Sequence, residues 1–141
     1  MNKYDLIGDI HGHYDKLTAQ LKVLGYRSEG GAWRHPEGRR VVFLGDYTDR
    51  GPRIRRVLRL VRGMCEAGTA MAIMGNHEYN AVCYATPDGK GDYLRPRVPK
   101  NRIQHAATLA EFFDLLDEWA DVDERYEESR AMDAIENGCF F

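Results

Sequence analysis

Hydrophobic positions divide the first 84 residues into alternating short apolar runs and longer periodic stretches. Residues 4–7 (Tyr-Asp-Leu-Ile) form a run that predicts a short buried strand ending at Gly8. Leu17, Leu21 and Leu24 then fall at i, i+4 and i+7, which predicts a helix over 14–24 with Gly25 past its end. Residues 25–39, rich in Gly with Trp33 and Pro36, suit a hairpin or loop. Val41-Val42-Phe43-Leu44 is a second strand, again ending at Gly. Pro52 can occupy the first turn of a following helix near 53–67, whose apolar face is Ile54, Val57, Leu58 and Val61. Arg55, Arg59 and Arg62 lie opposite that face. Residues 70–74 are a third strand, ending at Gly75.

Strand-helix-strand-helix-strand implies an α/β fold with a βαβαβ parallel sheet. Open sheets of this kind place their sites beyond the C-terminal ends of the strands. The strands at 41–44 and 70–74 are apolar on both faces and require cover on both sides. Residues 85–101 read as a loop, and Leu109, Phe112, Phe113, Leu116 and Ala120 mark a helix near 102–120. A weaker acidic helix is expected over 123–136. The whole chain reads as one domain: a core over 1–84, a loop over 85–101, and a helical, acidic segment over 102–141.

Three Gly-edged segments follow the three strands: Gly8-Asp9-Ile10-His11-Gly12, Gly45-Asp46-Tyr47-Thr48-Asp49-Arg50-Gly51 and Gly75-Asn76-His77-Glu78. Their chemistry suits phosphate ester hydrolysis, in which a metal pair neutralises phosphoryl charge and lowers the pKa of a water. Asp9 and His11, on alternate positions of an extended turn, can face one ion. Asp46, from the neighbouring strand, is placed to bridge two ions, and Asn76 offers a carbonyl oxygen. His77 would point toward the leaving group, with Asp49 orienting its imidazole. Arg50 offers a fork for phosphate oxygens. Imidazole and carboxylate ligands suit Mn, Fe or Zn better than Mg or Ca.

On these motifs the chain resembles the calcineurin-like metallophosphoesterases, in the phosphoprotein-phosphatase branch that includes Ser/Thr protein phosphatases and bacterial diadenosine tetraphosphatases. The resemblance covers about residues 4–80, where GDxHG, GDxxDRG and GNHE all occur. It implies the N-terminal half of an αββα sandwich. It implies that Asp9, His11 and Asp46 hold a first metal, and that Asp46 and Asn76 begin a second. Arg50 would bind phosphate, and His77, paired with Asp49, would be the general acid. Attack would be in line, by a metal-bound hydroxide, on a phosphorylated small molecule, a dinucleotide or a phosphoprotein.

The family completes its second metal with two further His and adds another Arg, from a second sheet downstream. After His77 this chain holds one His, His105, in a helical pattern. A C-terminally truncated homologue is therefore expected, with one metal, Mn foremost, where the family has two. The alternative is an inactive homologue serving as a metal- or phosphate-binding or interaction module. Cover for the second sheet face would come from the helix at 102–120 or from a second chain, as a homodimer.

Composition changes little in this picture. Of the 141 residues, 43% are hydrophobic and 30% charged, which suits a folded domain and excludes wholesale disorder. Residues 1–100 carry 17 Lys and Arg against 11 Asp and Glu, and residues 101–141 carry 3 against 11. A basic first part suits an anionic substrate. The arginines of residues 53–62 interleave with apolar positions at helical spacing, so a solvated helix face is expected rather than a nucleic-acid surface. Only Arg53 lies near enough to Arg50 to assist with substrate. His13, two residues past His11, is read as a solvent-exposed loop residue, with a reach to the rim of the site as the alternative. Three cysteines in no metal or redox spacing, with no signal-like segment and no apolar run of about 20 residues, point to the cytoplasm and away from membranes.

Overall fold

The computed structural model describes residues 3–113. The elements in order are β1 (Tyr4–Ile7), α1 (Tyr14–Val23), β2 (Arg27–Glu29), β3 (Ala32–Arg34), β4 (Arg40–Phe43), α2 (Ile54–Glu66), β5 (Ala70–Ala72), α3 (Asn76–Ala85) and α4 (Pro99–Phe113). β1, β4 and β5 form a parallel sheet in the order β1-β4-β5. β4 is thus central, with Val41 beside Asp5 and Ala70, and Phe43 beside Ile7 and Ala72. β2 and β3 form an antiparallel hairpin in the stretch expected to be a hairpin or loop.

One sheet face carries the core. Val41, Phe43 and Ala70 point into it, against Leu17 and Leu21 of α1 and Ile54, Val57, Leu58, Val61 and Met64 of α2. These are the periodic positions of the sequence, so the amphipathic pattern became the packed interface. Pro52 lies just before α2 rather than in its first turn. The arginines of this stretch are engaged around the helix. Arg53 pairs with Asp15 at 2.8 Å, Arg56 sits over the Tyr14 ring, and Arg62 bonds Glu66 at 2.7 Å.

The other sheet face is open among the described residues. Leu6 is 68% exposed and Ile73 56%, with Leu44 and Met71 also exposed. The described part of the 102–120 helix does not cover them, because α4 packs on α2 instead. Two contacts fix it there. Glu111 accepts the N–H groups of Ile54 and Arg55 at 2.5 and 2.8 Å, capping the N-terminus of α2, where the helix dipole favours an anion. Phe112 lies under the Arg55 guanidinium. The buried stripe of α4 is His105, Thr108 and Phe112, whereas Leu109 is only half-buried. The second half of that expected helix, and the helix expected over 123–136, lie outside the described residues.

α3 is an element that hydrophobic periodicity did not predict. Its first turn is Asn-His-Glu, a polar sequence that reads as a loop. It is held from outside: the Glu78 side chain returns to the Gly75 N–H at 3.0 Å, and Asp46 accepts the His77 N–H at 3.1 Å.

At the start of the sheet, Asp5 is buried and accepts from Arg39, at Nε (2.9 Å) and Nη2, and from the Tyr26 hydroxyl at 2.9 Å. The Arg39 guanidinium holds its carboxyl below the ordinary range against the opposing effect of burial. A depressed carboxyl stabilises the fold above its unfolded pKa of about 3.9, and the contribution is lost as pH falls through the folded value. Asp5→Asn is therefore expected to lower stability at pH 7 and to approach the wild type as pH drops below about 4. Urea unfolding at several pH values checks this, and a difference constant from pH 6 to 3 would contradict it.

Candidate functional site

The three Gly-edged segments meet at the C-terminal edge of the sheet. Among the described residues, five non-Gly residues have positive φ, and all five are candidate site residues: Asp9 (52°), His11 (45°), Asp46 (57°), Asp49 (67°) and Arg50 (66°). Left-handed backbone costs a side chain about 1–3 kcal/mol per residue and persists only where surroundings enforce it. Here the first two loops enforce it on each other. His11 N–H donates to the Asp46 carbonyl at 2.7 Å, Gly12 N–H to Tyr47 at 2.8 Å, and Gly51 N–H to His11 at 2.8 Å. Glycine is required at two close approaches. A Cβ on Gly51 would meet the His11 carbonyl, and one on Gly45 (φ 92°) would meet the Gly75 backbone.

These tight turns, rather than an extended path, bring Asp9 and His11 together. The Asp9 carboxylate is largely exposed, with Oδ1 3.9 Å from His11 Nε2. His11 Nδ1 lies 2.8 Å from the Thr48 carbonyl, which fixes the proton on Nδ1 and leaves the Nε2 lone pair free. One ligand atom each from His11, Asp46 and His77 lies within 4.8 Å of the others. The His11 and His77 rings meet edge to face, with centroids 4.5 Å apart.

Asn76 opens α3 beside Asp46. One end of its amide lies 3.3 and 3.2 Å from the two Asp46 carboxylate oxygens. With NH2 inward, the amide donates to Asp46. With oxygen inward, two oxygen ligands face one point, the arrangement a shared cation needs. His77 is buried, and its Nδ1 lies 2.7 Å from Asp49 Oδ2, so Nε2 is the nitrogen left for the site. Arg50, Asn76, His77, Asn80 and Gln104 line an open cavity of about 530 Å³ between α3 and α4. His13 lines a separate groove with Asp9 and Lys16.

Four participants were not singled out as site residues from sequence. Glu78, 2% exposed, accepts from the N–H groups of Gly75, Asp46, Tyr47 and Thr48 and from the Thr48 hydroxyl, all between 2.8 and 3.0 Å. It ties the second loop to the third, and its place in the GNHE motif was the available signal. Thr48 carries the carbonyl that orients His11. From α4, His105 and Thr108 reach the buried carboxylate of Asp49. Burial pushes the Asp49 carboxyl up, but hydrogen bonds from His105, Thr108 and His77 outweigh it and hold the carboxyl below its ordinary range.

The calcineurin-like phosphoesterase family model matches residues 3–135. The chain belongs to the calcineurin-like phosphoesterases. Among curated members, it is 47% identical over 75 residues to the asymmetrical bis(5'-nucleosyl)-tetraphosphatase PrpE of Halalkalibacterium halodurans. It is 50% identical over 74 residues to the enzyme of the same name from Bacillus subtilis. These matches cover 53% and 52% of this chain but only 30% of each relative. The fold corresponds to the N-terminal half of the family architecture, a parallel sheet flanked by helices. Among the described residues of this phosphoesterase chain, no helix is long and apolar enough to cross a membrane.

Proposed function

We propose that this chain is a metal-dependent phosphoesterase that hydrolyses phosphate esters or anhydrides. The observation that carries this reading is that His11, Asp46 and His77, from three separate strand ends, bring one ligand atom each within 4.8 Å of the others, with the Asn76 amide against Asp46. Dinucleoside polyphosphates are the preferred substrate class, on the strength of the tetraphosphatase relatives. Phosphoproteins are the alternative.

The donor set fits divalent metal. Asp9, His11 and Asp46 would hold one ion, and Asp46 and Asn76 would contribute to a second. Imidazole with carboxylate favours Mn²⁺, with Fe and Zn as alternatives. A bound ion supplies charge neutralisation at the phosphoryl oxygens and a water of lowered pKa. The remaining steps belong to side chains. Arg50, at the cavity mouth, presents two parallel N–H donors to the phosphate. The N-terminus of α3 adds favourable potential for an anion. His77, held through Nδ1–H by Asp49, keeps Nε2 aimed at the site, and in its doubly protonated form it donates from Nε2 to the departing oxygen. Free thiols at Cys65 and Cys83 suit the reducing cytoplasm we propose for it.

The 141-residue chain is expected to hydrolyse p-nitrophenyl phosphate and a bis-nucleosyl tetraphosphate with Mn²⁺. On phenyl phosphate, whose leaving oxygen needs a proton, His77→Asn is expected to lower the rate by about 10²–10⁴-fold, the usual range for losing a general acid. Absence of turnover with every divalent metal would overturn the enzymatic reading. Stoichiometric metal without turnover would instead identify a binding module.

A further inference from the structure

His105 stands apart from the metal-type cluster, which holds His11, Asp46 and His77. It is 1% exposed, and its ring lies against Tyr84 at 5.3 Å between centroids. Its Nδ1 lies 3.1 Å from both oxygens of Asp49. One helical turn on, Thr108 makes a reciprocal pair with the same residue. Its hydroxyl donates to Asp49 Oδ1 at 2.6 Å and accepts the Asp49 N–H at 2.9 Å. Asp49 is itself fully buried, with φ in the left-handed region. Its Oδ1 is therefore held by Thr108 and His105, and its Oδ2 by His77 and His105.

We propose that His105 and Thr108 are positioning residues: from one face of α4 they clamp the Asp49 carboxylate, and through it they set the orientation and tautomer of His77. The proposal rests on the reading of His77 as the proton donor.

Two physical facts favour a positioning role over simple packing. First, His105 Nε2 is buried without a partner among the described residues. An unpaired buried polar atom is destabilising, a cost that an apolar side chain at this place would not incur. Fold stability is thus not what this imidazole supplies; its one engaged nitrogen serves Asp49. Second, a carboxylate with a single partner can rotate about its last torsion, and the imidazole bonded to it would follow. Donors on both oxygens remove that freedom. The four donor contacts on Asp49 leave one plane for the carboxylate and one direction for the His77 ring. His105 is also the foremost of the hydrogen-bonding partners that hold the Asp49 carboxyl below its ordinary range.

The test is a long-range ¹H–¹⁵N correlation spectrum of the histidine rings in the metal-free 141-residue chain. In the neutral ring, His77 is expected as a single tautomer with its proton on Nδ1, which leaves Nε2 as the nitrogen that takes up and gives the transferable proton. In Thr108→Val and His105→Phe, both checked for folding by thermal melting, it is expected to become a mixture of tautomers. His105→Asn, whose amide nitrogen can stand where Nδ1 stands, is expected to restore the wild-type pattern. An unchanged His77 pattern in either folded variant would overturn the proposal. Thr108→Val is nearly isosteric and keeps the test decisive if His105→Phe fails to fold. A second arm compares leaving groups. For phenyl phosphate, which needs the proton, kcat is expected to fall about 10–100-fold with KM unmoved, the size of effect that orienting partners have elsewhere. For p-nitrophenyl phosphate the loss is expected to be smaller, and equal losses would count against the clamp. If the chain shows no turnover at all, the proposed function fails while the spectra still decide the clamp.

Discussion

Glu78→Ala is expected to lower the melting temperature by about 10 °C or more and to broaden the site. Glu78 is almost fully buried, and its carboxylate accepts five donors, four of them backbone N–H groups from two different loops. Alanine would leave those donors without an acceptor in a place water reaches poorly. Each abandoned buried donor costs about 1–3 kcal/mol. Even partial relaxation leaves a loss of about 3 kcal/mol, and each kcal/mol is worth about 2–8 °C depending on chain size. Gln is not a remedy, because its NH2 would face donors on one side. The exposed neighbour provides the control: Tyr79→Ala should stay within about 0.5 kcal/mol of wild type. Thermal melting of the three proteins decides the matter, and a Glu78→Ala melt equal to that of Tyr79→Ala would refute this reading.

Asp46→Asn is expected to abolish metal uptake and hydrolysis while leaving the metal-free fold nearly as stable. Asp46 is the one residue in contact with both halves of the candidate centre. It shares the cluster with His11, faces the Asn76 amide, and accepts the His77 N–H. Its negative charge is the chief attraction for a cation, and Asn has the same shape without it. Loss of a direct ligand should exceed the roughly 10–100-fold weakening that follows loss of an outer partner. Elemental analysis after gel filtration in Mn²⁺, together with p-nitrophenyl phosphate turnover, measures both effects. Retention of wild-type metal content would remove Asp46 from the centre.

Much of the frame was legible in the chain itself. Strand-length apolar runs and the i, i+4 pattern of Leu17 and Leu21 located β1, β4, α1 and α2 to within a residue or two. β5 came out shorter than the expected 70–74, ending at Ala72, although the Ile73 N–H still donates to the Phe43 carbonyl of β4 at 3.0 Å. The motifs located the three segments that meet at the C-terminal edge of the sheet. What escaped was local sequence whose structure is imposed from a distance. α3 has a polar first turn and is held by Asp46 and Glu78, and no periodicity marks it. His105 and Thr108 look like ordinary positions of an amphipathic helix until α4 is laid on α2. The ion pair of Arg53 with Asp15 of α1 was likewise not marked by the local sequence.

The sequence by itself determined the alternation of β1, α1, β4, α2 and β5, the residue types of the three loops and the family. Hydrophobic spacing and residue type are local properties, and they suffice for that much. Only the tertiary structure decided how the loops converge: left-handed turns at Asp9, His11, Asp46, Asp49 and Arg50, enforced by hydrogen bonds between segments some 35 residues apart. It also decided that α4 serves the site rather than the open sheet face. That choice depends on the N-terminus of α2 and the Asp49 carboxylate offering partners to Glu111, His105 and Thr108, which exist only once the core has formed.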